Sequence, residues 1–153
     1  MRLRLIWIGK TKDAHLRALI EEYLKRLSHF VKCEISEVRE SPSSEKRAGI
    51  DKDSKCISDG LREGAVNVLL HPEGTEWSSE ELAKEVQRWQ NSGTKEVTFI
   101  LGGPNGVSRE LSARASSRWS LSRLTLTHEM ARVVLLEQLY RAYTIIHGLP
   151  YQK

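Results

Sequence analysis

The chain has 153 residues, 39% of them hydrophobic and 29% charged, with a formal net charge of +4. This is the composition of a soluble globular protein, long enough for a single domain over residues 1–153 with a sizeable core. The apolar run before Gly9 and Lys10 is too short for a signal peptide, and no stretch could cross a bilayer without burying charges, so the expectation is a cytoplasmic protein with no membrane partner. Cys33 and Cys56 have no cysteine or histidine at metal spacing nearby. The five histidines form no HxxxH or HxH pattern, and no metal is expected.

The charge is unevenly placed. Residues 1–100 balance, whereas residues 101–153 carry seven basic groups against Glu110, Glu129 and Glu137, and so hold the whole excess. Six of the seven are arginines, whose forked guanidinium matches phosphate and stacks on bases. That bias points to a polyanionic partner.

In chain order, residues 3–8 read as a short buried strand. Over 13–28 the apolar residues Ala14, Leu16, Leu19, Ile20, Tyr23, Leu24 and Leu27 recur at helical spacing, as in an amphipathic helix lying on a sheet. A second strand is expected at 31–38. A polar loop and a weak helix ending near Gly64 should follow. Residues 66–70 form a continuous apolar strand, with a turn at HPEG. Ser78 and Glu81 form a capping box for a helix reaching about Asn91, with Gly93 as its stop. Residues 97–101 make another apolar strand that runs into the turn Gly102, Gly103, Pro104, Asn105, Gly106. A helix over 109–116 and a strand over 120–126 complete the pattern.

The last helix is the most strongly signalled. Thr127 sits at the N-cap, Gly148 and Pro150 mark the stop, and residues 129–147 lie between. His128 and Arg132 fall on one side, with Glu137, Arg141 and Thr144 roughly opposite. Most of the rest is apolar, so the helix must be covered on several faces, one by its own sheet and another by a second subunit.

This order, strand and helix by turns, predicts an α/β fold with a mostly parallel sheet covered on both faces. Ligands in such sheets lie beyond the carboxyl ends of strands, which here means Leu70, Leu101 and Leu126. The glycine turn lacks both the GxGxxG and the phosphate-loop spacing, and taken alone it is weak evidence.

Together, ILGGPNG, SLSRLTLTH and RVVLLEQLYRAY, with LRLIWIGK at the start and PYQK at the end, resemble the RlmH family of SPOUT-class RNA methyltransferases over nearly the whole chain. The resemblance implies a trefoil-knotted sheet with the knot in about residues 66–153, a homodimer, and S-adenosyl-L-methionine as cofactor. The implied reaction is methylation of N3 of a pseudouridine in the 23S ribosomal RNA of the assembled ribosome. The implied cofactor residues are Leu70, Gly102, Gly103, Leu121, Ser122, Arg123, Leu124, Thr125 and Leu126. On the substrate side it implies Arg141, Glu137, His128 and Tyr151 as catalytic residues, with Arg132 and Gln152 binding substrate.

The chain departs from the family pattern at three positions. His71 stands where an acid is common, Thr127 where proline is common, and Gln152 where histidine is common. An amide cannot take up a proton as imidazole does, so Gln152 leaves a second reading, a ribosome- or RNA-binding dimer of the same fold with impaired catalysis.

Overall fold

The computed structural model describes residues 1–42 and 46–151, in which strands and helices alternate. In order they are β1 (Arg2–Ile8), α1 (Ala14–Leu27), β2 (Lys32–Val38), α2 (Lys46–Asp59), β3 (Val66–Glu76), α3 (Ser79–Asn91), β4 (Glu96–Leu101), α4 (Arg109–Ala113), β5 (Ser117–Ser120) and α5 (His128–Ile146). The strands form one sheet in the order β2-β1-β4-β3-β5 with every pairing parallel. Parallel pairing requires each connection to cross a face of the sheet, and the helices are those crossings.

Side-chain alternation divides the sheet between two cores. Leu3, Leu5 and Trp7 of β1 join Val97, Phe99 and Leu101 of β4 in the larger core, which α1, α3 and α5 cover. Ile6 and Ile8 with Ile100 face the other way, onto Ile57 of α2 and Leu111 of α4. Helices therefore lie on both faces, as the sequence pattern requires. α5 is wedged between α1 and α3 and buries Val133, Leu135, Leu136, Leu139, Ala142 and Tyr143.

The caps follow the sequence signals. Ser78 and Glu81 form a reciprocal capping box at α3. Thr127 caps α5 by accepting from Met130 N–H at 3.2 Å, so threonine does useful work where the family favours proline. Gly148, at φ +64°, ends α5 in a conformation that side chains with a Cβ rarely adopt.

Three expectations need correction. Residues 120–126 do not form a strand; β5 is the preceding Ser117–Ser120. The alternation at Arg123, Leu124, Thr125 and Leu126 does not track burial, because Leu124 is 78% exposed. Ser120 Oγ donates to Ser122 O, and Leu124 N–H donates to Ser122 Oγ, so local hydroxyl bonds replace a ladder. HPEG is a bulge within β3 rather than a turn after it, since Leu70 and Thr75 both pair with Trp119 before pairing resumes at Glu76. Gly74 permits this: a Cβ there would lie 2.7 Å from backbone atoms of Arg118 and Trp119. Finally, α4 ends at Ala113, earlier than expected. The polar loop before α2 includes residues 43–45 and is in that part outside the described residues.

Candidate active site

All five strands point the same way, so their carboxyl ends share one edge of the sheet, and the bulge of β3 and residues 121–126 meet there. Between them lies a cavity of about 190 Å³, lined by Leu70, His71, Pro72, Trp119, residues 120–126 and Ala131. Seven of the nine residues expected to hold a cofactor line it: Leu70, Leu121, Ser122, Arg123, Leu124, Thr125 and Leu126. Its walls combine leucines with hydroxyl side chains, and the indole N–H of buried Trp119 has no partner among the described residues. Residues 122–126 make no backbone-to-backbone bond of the turn or loop type among the described residues. Apart from Leu124 N–H and Ser122 O, which the loop's own hydroxyls engage, its backbone groups are free to meet the edges of a heteroaromatic ring set between apolar walls. The donor set fits an adenosine-bearing cofactor.

The glycine turn is placed differently. Neither Gly102 nor Gly103 lines this cavity. Gly103 borders a smaller one on the α2 side, with Ile8, Glu40 and Asp53. Gly102 is needed for packing, since a Cβ would lie 2.7 Å from Val107 Cγ1.

At the carboxyl end of α5, three of the expected catalytic residues converge. Arg141 donates from Nε at 3.0 Å and from Nη2 at 2.5 Å to Oε1 of Glu137, one helical turn away. Tyr151 O–H donates to the same oxygen at 3.2 Å. The Arg141 guanidinium lies 4.8 Å from the centroid of the Tyr151 ring, and Tyr140 meets that ring edge to face at 4.7 Å. The Glu137 bond holds the Arg141 pKa above its ordinary value, with burial opposing. Burial, the Tyr23 hydroxyl and the charge of Glu137 push the Tyr151 phenol well above its ordinary value, so its proton stays on oxygen near neutral pH.

The amino end of α5 is a separate place, since His128 and Arg141 are thirteen residues apart on one helix, about 20 Å along its axis. His128 is exposed and borders a cleft with Ile8, Gly9, Lys10, Lys12, Arg39 and Pro104. Arg132 does not face solvent at all: it is 2% exposed and donates from Nη2 to Ile8 O at 2.6 Å and from Nη1 to Thr11 Oγ1 at 2.9 Å. Its guanidinium lies 5.0 Å from the Trp7 ring centroid. Burial lowers its pKa, with Glu129 and Glu37 opposing. Arg132, expected to bind substrate, is instead buried, bracing the segment after β1 against α5. Glu129 does related work, accepting from Lys12 N–H and, at 3.4 Å, from Asp13 N–H.

Gln152 lies outside the described residues. The arginine bias of the second half is partly structural, for Arg114 bonds Ser58 and Arg118 bonds Ser112. Sequence reasoning missed Trp119, Glu129 and Tyr23. Trp119 fell just ahead of the misplaced strand, and Glu129 reads as an ordinary first-turn acid. Tyr23 counts as one more apolar position of an amphipathic helix. Among the described residues there is no group of three or more metal-ligating side chains, and no helix is long and apolar enough to cross a membrane.

Comparison with known proteins finds relatives over the whole chain. The family described as "Predicted SPOUT methyltransferase" matches residues 1–152. A protein of Desulfotalea psychrophila called "Ribosomal RNA large subunit methyltransferase H" is 39% identical over 153 residues, covering 100% of both chains. Proteins of the same name from Geotalea daltonii and Limosilactobacillus reuteri are 39% and 40% identical, covering 99% and 100% of both chains respectively. A solved structure titled "The structure of a probable methylase family protein from Haemophilus influenzae Rd KW20" shares the fold at a TM-score of 0.56 and 14% identity, over 99% of this chain and 70% of that one. On its full-length match to both the family and these relatives, the chain belongs to the SPOUT methyltransferases, in the RlmH group.

Proposed function

We propose that the protein methylates large-subunit ribosomal RNA, and specifically N3 of a pseudouridine, using S-adenosyl-L-methionine. The observation that carries this reading is the presence of a leucine- and hydroxyl-lined cavity at the 121–126 loop together with an arginine, carboxylate and phenol cluster at the end of α5, in a chain that matches the RlmH proteins end to end.

The cofactor, held by Leu70 and residues 121–126, would supply an electrophilic methyl group on sulfur. Transfer of that methyl to N3 would require the N3 proton to leave. Arg141 holds a carbonyl oxygen or phosphate of the nucleotide and stabilises the negative charge that grows as the proton departs. Glu137 fixes the direction of that guanidinium through two N–H bonds. Tyr151, neutral and half-buried, presents its ring to the base. Water receives the proton, or His128 where a partner subunit brings it to the cluster.

None of Glu137, Arg141 and Tyr151 lines the cavity of its own chain. A homodimer in which each tail cluster serves the partner's cavity would complete two sites. The exposed apolar side chains of Leu124 and Met130, beside the cavity, are what such a partner would cover. The trefoil knot belongs to the same reading, as does the ribosome as the form in which the RNA is met.

The test is transfer of labelled methyl from S-adenosyl-L-methionine to ribosomes lacking this modification, followed by mass mapping. Label on a single pseudouridine of the large-subunit RNA is the expected result. Absence of label, with cofactor binding demonstrated, would reject the reading and would implicate Gln152.

A further inference from the structure

The tail cluster has a member from outside α5. Tyr23, on α1, places its hydroxyl 3.3 Å from that of Tyr151. A phenol has one proton to give, and Tyr151 gives its own to Glu137 Oε1. Tyr23 must therefore be the donor between the two, so the chain runs from Tyr23 to Tyr151 to Glu137. Around it, the Tyr23 ring lies 6.2 Å from Tyr140, and the Arg26 guanidinium covers both rings, at 5.4 Å and 5.7 Å from their centroids.

We propose that Tyr23 is a positioning residue for the C-terminal tail, its hydroxyl fixing the Tyr151 ring between Arg141 and Tyr140 before any nucleotide arrives. The inference rests on the function proposed above, because it makes Tyr151 the group that meets the base. Past the bonds by which His147 and Gly148 close α5, the described tail backbone makes two more: Leu149 N–H to Thr144 O at 2.8 Å and Tyr151 N–H to Leu149 O at 2.9 Å. A segment so lightly tied loses conformational freedom on binding unless something has already ordered it. Tyr23 supplies that order from a different helix. Its role should therefore show in substrate affinity more than in the rate of transfer.

Tyr23→Phe removes one oxygen and keeps the ring, so the packing against Tyr140 and Arg26 survives. Two measurements on the full-length protein decide the matter: amide hydrogen exchange, and the kcat and KM of methyl transfer to ribosomes. Exchange at Leu149 and Tyr151 should accelerate about three- to tenfold, the worth of one ordinary hydrogen bond, and KM should rise by a similar factor with kcat held. In a Tyr151→Phe background the same change should add nothing, since the hydroxyl it addresses is gone. Unchanged exchange and KM would overturn the proposal. So would an equal loss in the Tyr151→Phe background, or acceleration spread through the buried amides of α1 and α5. If the unsubstituted protein transfers no methyl but Tyr23→Phe still frees the tail, the seat stands and the methyltransferase reading falls.

Discussion

Arg132 and Arg141 lie nine residues apart on one helix and are opposites in almost every physical respect. Arg132 is sealed in over the Trp7 ring, hydrogen-bonds a carbonyl and a hydroxyl, keeps an unpartnered Nε–H, and has no carboxylate within ion-pair distance among the described residues. Burial pulls its pKa down. Arg141 keeps part of its surface open, bonds twice to Glu137, lies against a tyrosine ring, and has its pKa drawn upward. A buried cation with neutral partners is costly to keep and useful mainly as a brace, whereas a half-open, pre-aimed guanidinium is what a developing negative charge requires. The helix thus carries a sealed arginine toward one end and a half-open, carboxylate-held one toward the other, and residue type alone cannot tell them apart.

The comparison breaks most sharply at Arg141. In Arg141→Ala, methyl transfer should fall about 100- to 1000-fold, the usual range for losing one preorganised donor to a developing charge. The urea midpoint should fall less than in Arg132→Ala, because solvent still reaches the Glu137 carboxylate that loses its partner. Retained methylation would remove Arg141 from the chemistry. Arg132→Ala should invert the pattern. It leaves Ile8 O and Thr11 Oγ1 without their donor and opens a void beside Trp7, for a loss of about 2–4 kcal/mol of folding stability. Urea denaturation would measure this, and activity per folded molecule should survive far better than in Arg141→Ala. A stable but inactive Arg132→Ala would return Arg132 to the substrate side.

Much of this was legible in the sequence, and the failures share a cause. The first four strands, the caps of α3 and α5 and the Glu137 to Arg141 pair follow from periodicity and local side-chain chemistry. The cavity loop was also found, but as the wrong element: alternation at residues 123–126 imitates a strand, and only the absence of a pairing neighbour shows otherwise. Arg132 was placed on the substrate side by the family resemblance, and its helical phase does not say what lies in that direction. Here it is β1 and the loop after it. Tyr23 was invisible for the complementary reason, since its partner Tyr151 is 128 residues away and the contact exists only once α1 and α5 lie side by side.

The subtlest contrast between the two ends of α5 is their response to pH. At the amino end, the N–H of Lys12, opposed by burial and aided by Asp13 N–H, holds the Glu129 carboxyl below its ordinary value of about 4.3. What Glu129 contributes to stability is therefore present above that pH and lost as pH falls through its lower folded value. At the carboxyl end the sign reverses. Tyr151 is raised above the ordinary phenol value of about 10, so its contribution is whole below about that pH and is lost as pH climbs through the higher folded value. Urea midpoints followed into acid should fall more gently in Glu129→Gln than in the unsubstituted protein. In alkali, the tyrosinate absorbance of the unsubstituted protein minus that of Tyr151→Phe isolates a single phenol, and its midpoint should lie clearly above the ordinary value. A midpoint at or below that value would mean that Tyr151 is not seated against Glu137 in solution. The carboxyl end of α5 would then be an open tail beside Arg141 rather than a preformed cluster.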